Sequence, residues 1–135
     1  MSVEPRQALY CHLVADPGVI AAVNGDAERI HQRRAPTGAA KPLIVIWPPQ
    51  SRVPEMDLAG AAWRRTRIQV TAIADTQADA EKAANAVIAA VEGFSGIMAG
   101  ELQVILVEVV DDSQAAQEDI DEIHHHVILR ITYRG

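Results

Sequence analysis

With a single cysteine, Cys11, the chain cannot form an internal disulfide, and no cysteine spacing of the kind that holds zinc exists. Nothing ties it to an oxidising compartment, and Cys11 is expected as a small packed hydrophobe rather than a nucleophile. Aromatic residues make up only 4% of the 135 residues. Alanine-rich helices approach a sheet closely but bury little area per residue, so association is expected to add to the stability of the subunit. Long apolar runs are missing as well. The stretch 104–107 is far too short to cross a bilayer, and the N-terminus lacks the basic start and unbroken apolar segment of a signal peptide. The reading is no membrane, and synthesis in a cytoplasm. Basic charge is the last shortage: 12 Lys and Arg stand against 18 Asp and Glu, a net charge of −6. That argues against a surface built to grip phosphates, though not against a smooth wall along which DNA passes.

What is present is enough apolar material, 49% of residues, for one core and one domain over 1–135. The clearest local signal lies in residues 63–93. Thr66, Ile68, Val70, Ala72 and Ala74 alternate with Arg65, Arg67, Gln69 and Thr71, which predicts a half-buried strand. Thr76 stands three residues before Asp79 in a capping-box pattern. Ala80, Ala83, Ala84, Val87, Ile88 and Val91 then recur at helical spacing until Gly93 supplies a stop.

Earlier in the chain, residues 4–15 read as a helix with Pro5 in its first turn and Ala8, Leu9, His12 and Leu13 on its apolar side. A helical turn over 19–23 and a short strand over 28–32 follow. The run Leu43, Ile44, Val45, Ile46 and Trp47 suits a strand covered on both faces or at a subunit contact. Residues 50–62 read as a long connection, 94–101 as a turn region, and 111–121 as a solvated acidic loop. Residues 102–110 form a strand whose apolar character on both faces suggests double coverage. In the last strand, 122–134, Ile123, His125, Val127, Leu129, Ile131 and Tyr133 point inward, while Glu122, His124, His126, Arg130, Thr132 and Arg134 point outward. The expected fold is α+β: a mainly antiparallel sheet of four to five strands with an N-terminal helix and one long helix packed on it.

Chemistry is weakly signalled. Strand geometry puts His124 and His126 on one face and His125 on the other, so two can approach a metal that the third cannot join, and only Glu122 is a local further ligand. The acidic residues 111–122 lack the glycine and carboxylate order of a calcium loop. No phosphate-cradling glycine loop, nucleophile elbow or metalloprotease motif occurs. Catalytic residues, metal and cofactors are therefore all read as none. A small ligand-binding or metal-binding domain remains the rival reading.

The order of segments resembles the tail-completion or tail-terminator proteins of long-tailed bacteriophages and gene transfer agents. The matching pieces are the opening helix EPRQALYCHLVADPGVIAAV, then ERIHQRRAPTGAAKPLIVIW with its Ala-Pro loop and Pro-initiated strand, Gly60 before the arginine-containing strand RRTRIQVTAIADT, the helix DAEKAANAVIAAVEG and two closing strands. The segment DLAGAA and the histidine triplet match no role in that family. The resemblance implies a non-enzymatic structural protein of the virion, made in the bacterial cytoplasm. It further implies a homo-oligomeric ring, typically a hexamer, that ends the tail tube and meets the tail tube protein and the head-tail connector, with DNA in its lumen bound without sequence specificity. Another neck or tube component of the same particle is the alternative. On this reading Met56, Asp57, Leu58, Arg65, Arg67, His124, His126 and Arg130 are the candidate subunit or tail-tube contacts, with Met56 and Leu58 reaching a neighbour and Arg65 and Arg67 meeting acidic groups across the ring.

Overall fold

One sheet organises the computed structural model, which describes residues 4–36, 38–49, 51–56, 62–100, 102–117 and 122–134. Helix α1 (Pro5–Val14) and helix α2 (Pro17–Ala22) lead through a 3-10 turn (Ala27–Arg29) into strands β1 (Ile30–His31), β2 (Leu43–Ile46), β3 (Ser51–Met56) and β4 (Ala62–Ala74). Helix α3 (Gln77–Val91) follows, then β5 (Gly96–Met98), β6 (Leu102–Gln117) and β7 (Glu122–Arg134). The order across the sheet is β1-β2-β4-β7-β6-β5, with β3 also paired to β4. β2 pairs with Val70 to Ile73 of β4 and β3 with Ala62 to Arg67, so these two short strands lie end to end in one lane. Seven strands therefore occupy six lanes.

The α+β class stands, but the sheet is larger than the four to five strands expected. Three segments account for the difference. Part of the expected 50–62 connection is β3, antiparallel to β4. The 94–101 turn region contains β5. The acidic segment from Asp111 to Gln117 continues β6, because β7 offers it a partner at every step to Glu122. One pairing, β1 with β2, is parallel.

Side-chain alternation decides which face receives the helices. Thr66, Ile68, Val70, Ala72 and Ala74 of β4 and His125, Val127, Leu129, Ile131 and Tyr133 of β7 are buried, as their period of two requires. Against them lie Leu9 and Leu13 of α1, Val19 of α2, and Ala83, Ala84, Val87 and Val91 of α3. The small α3 residues bring that helix close to the sheet. At its start the Thr76 hydroxyl accepts from the Asp79 amide at 3.2 Å. At its end Gly93 takes φ +75°, a conformation glycine adopts without Cβ strain, and sends its amide to the Val107 carbonyl at 3.0 Å.

All four residues of β2 are buried, because its two faces meet different cores. Ile44 and Ile46 join the helix-backed core, while Leu43 and Val45 pack with Ile73 against Ala35, Ala39 and Trp47 on the other side. The double coverage expected for β6 does not extend along it: Leu106 is 39% and Val110 40% exposed. Both lie at breaks in the ladder, between Val104 and Leu106 and between Val109 and Asp111, where bulges turn side chains away from the core. Cys11 is exposed instead of packed, since it lies on the face of α1 turned from Leu9 and Leu13. No helix among the described residues is long and apolar enough to cross a membrane.

Candidate assembly surface

The helix-free face of β4 and β7 carries most of the residues singled out from sequence. Strand register places Arg67 beside Arg130, Gln69 beside Ile128, Thr71 beside His126 and Ile73 beside His124. Charge is graded along this face. Arg65, Arg67 and Arg130 stand toward one end; Glu122, Lys41 and Asp75 stand at the other.

At the arginine end, Arg130 forks onto Glu108, with Nη2 to Oε2 at 2.7 Å and Nε to Oε1 at 3.3 Å. The Arg130 bond holds the Glu108 carboxyl below the usual carboxylate range, and the charges of Arg130 and Arg65 act in the same direction. Arg65 thus bears on an acid of its own chain as well as facing outward. Arg64 and Arg67 are exposed. Met56 ends β3 opposite Ala62, while Asp57 and Leu58 lie outside the described residues.

At the other end, Lys41 Nζ lies 2.8 Å from Glu122 and 3.4 Å from Asp75, and His124 Nε2 lies 3.3 Å from Glu122. The Glu122 bond raises Lys41 above its ordinary value; Lys41 first and His124 after it lower Glu122. His125, on the core face, is buried in contact with Asp112, and Gln114 Nε2 lies 3.4 Å from its Nδ1. The histidine triplet is therefore split between the two faces as strand geometry requires. Among the described residues no group of three or more His, Cys, Asp or Glu stands where it could share a cation.

Between the charged ends is a polar network that sequence reasoning missed. Trp47 Nε1 donates to Thr71 Oγ1 at 2.9 Å and Gln69 Nε2 donates to the same oxygen at 3.2 Å. His126 Nδ1 lies 3.0 Å from that hydroxyl and 3.1 Å from Gln69 Nε2. With two donors already on its oxygen, the Thr71 hydroxyl satisfies the network by donating to an unprotonated Nδ1, which assigns the His126 proton to Nε2. Burial lowers the His126 pKa below 6.5, and the charges of His124 and His125 add to the effect. A histidine depressed in the folded state is protonated first in the unfolded chain, so its contribution is complete above pH about 6.5 and is lost as pH falls below that value. Urea midpoints are expected to decline from pH 7.5 to 5.5, with a shallower decline in His126→Gln. Equal slopes in both proteins would contradict the assignment. The carboxylates act separately: Glu108 and Glu122, held low, lose their contribution only at and below about pH 4.5.

The family model described as tail completion protein gp17 matches residues 7–134. Among solved structures, a chain of the virion of a native gene transfer agent particle aligns with a TM-score of 0.80 at 20% identity, covering 97% of this chain and 95% of that chain. Among curated proteins none matches.

Proposed function

The chain belongs to the tail completion protein gp17 family, and we propose that it forms a six-membered ring that ends the tail tube. The ring joins the tube to the head-tail connector and lets DNA pass through its lumen. The family match over almost the whole chain carries this reading. The net charge of −6 supports it, because a negative subunit surrounds DNA without holding it.

A ring needs heterologous contacts, in which one patch of a subunit meets a different patch of the next. The graded face supplies unlike ends for that purpose. Arg65, Arg67 and Arg130 form one contact region and His124 and His126 flank the other, while the segment from Met56 through Asp57 to Leu58 reaches the neighbour or the tube protein.

The mass of the purified protein in solution and electron micrographs test the ring directly. Rings of tail-tube diameter are expected, alone or after tail tubes are added. A chain that neither forms rings nor caps tubes would overturn the reading. Replacing both Met56 and Leu58 by aspartate is expected to abolish assembly and leave the far-ultraviolet circular dichroism of the subunit unchanged; normal particles from that variant would remove the segment from the contact.

A further inference from the structure

The sheet ends in two stretches of open edge whose directions and positions are complementary. Across β3, β4, β7 and β6 every neighbouring pair is antiparallel. Four alternating lanes leave β3 and β6, at the two sides, running in opposite directions. Rotation about a ring axis that lies outside the sheet and runs roughly along its strands keeps both the strand sense and the face turned to that axis. A second copy placed that way sets its β3 antiparallel to the first copy's β6, the arrangement already used throughout this part of the sheet.

Each edge is open at a different end. On the β6 side, β5 occupies the edge along Leu102 to Val104, and Gly93 and Phe94 bond Val107. Along residues 108–117 no strand lies outside β6 among the described residues. On the other side β2, with β1 outside it, fills the lane beside Val70 to Ile73 of β4. β3 fills the lane beside Ala62 to Arg67, and no described strand lies outside it. Bringing β3 of one copy to the open part of β6 of another offsets the copies by about six residues, or ~20 Å, for every four lanes, or ~19 Å. The strands would then incline by roughly 45° to the ring axis, at the steep end of the range that closed sheets use.

Resting on the ring reading, we propose that β6 residues 108–117 of one copy pair antiparallel with β3 (Ser51–Met56) of a second copy, making the sheet continuous between neighbours. Charge supports this occupant. Face-preserving rotation puts Glu108 and exposed Asp111 on the same side as the second copy's Arg65 and exposed Arg67, with only β3 between them. The exposed Val110 within this edge gains cover in the same contact. Pro54 lacks an amide hydrogen and leaves that ladder at most one bond short, which an edge strand tolerates.

Val107 directs its amide and carbonyl outward to Phe94 and Gly93. Following the β7 register across the bulge, the next outward amides are those of Val109, Asp112, Gln114 and Ala116. Gln114→Pro removes one such donor, whereas Gln114→Ala removes the same side chain and keeps the amide. Gln114→Ala is expected to form rings as the parent does, and Gln114→Pro to associate at least about tenfold more weakly. Hydrogen exchange on the unmodified chain gives a second reading that needs no variant to fold: the amides of Asp112, Gln114 and Ala116 are expected to exchange at least about a hundredfold more slowly in rings than in free subunits. Rings in which these amides exchange as in the free subunit, or rings of Gln114→Pro as stable as those of Gln114→Ala, would overturn edge pairing and leave the ring itself standing. A chain that stays monomeric even with tail tubes present would overturn both.

Discussion

Leu129→Ala is expected to lower the stability of the folded chain by about 2–5 kcal/mol. Leu129 is fully buried on β7, opposite Ile68 of β4 and Val109 of β6, so no loop or terminus beside it can collapse into the space left behind. A loss of this size is a large part of the ~5–15 kcal/mol that separates folded from unfolded in ordinary domains. With a urea dependence of ~1–3 kcal/mol per molar, the midpoint should fall by roughly 1–3 M with an unchanged slope. A shift below about 0.5 M would mean that the three central strands do not enclose this side chain as tightly as their pairing indicates.

Ala84→Leu is expected to have the next largest effect, a loss of about 1–3 kcal/mol from overpacking. Leucine and alanine differ in helix propensity by only a few tenths of a kcal/mol, so propensity cannot produce a change of this size. The cause is space: Ala83 is 0% and Ala84 1% exposed where α3 meets the sheet, and three added carbon atoms must push the helix outward. Ala89 lies on the exposed side of the same helix, and Ala89→Leu should stay within about 0.5 kcal/mol. Thermal unfolding of the two variants measures the contrast. If both melt alike, the close approach of α3 to β4 and β7 is not what stabilises that layer.

The two variants probe the parts of the fold that local pattern made legible. Residues 66–74 alternate and residues 80–91 repeat at helical spacing, so strand, helix and the faces they bury could all be read without neighbours. The inward and outward residues of 122–134 were equally legible, including the burial of His125, since adjacent strand residues must point to opposite faces.

Other segments required their partners. β3 carries Pro54 and mixed charge and gives no alternating signal; its pairing comes from β4 lying alongside it. Asp111 to Gln117 reads as a loop by composition, yet the hairpin register to β7 extends through it, an instance of pairing overriding weak strand propensity. The Trp47, Gln69, Thr71 and His126 network joins residues far apart in sequence, so no motif could announce it. Arg65 and Arg67 were legible as outward, but the Glu108 partner of their neighbour Arg130 was not.

By itself, then, the sequence determined the local periods, the helix cap and stop, the buried faces of β4, α3 and β7, and a net charge of −6, because each follows from neighbours along the chain or from composition. Tertiary structure alone decided that β2 and β3 share one lane, that β6 continues past its acidic residues, and that Arg130 meets Glu108 while Lys41 meets Glu122. Those outcomes depend on register between distant strands, and register is set only when the whole sheet is assembled.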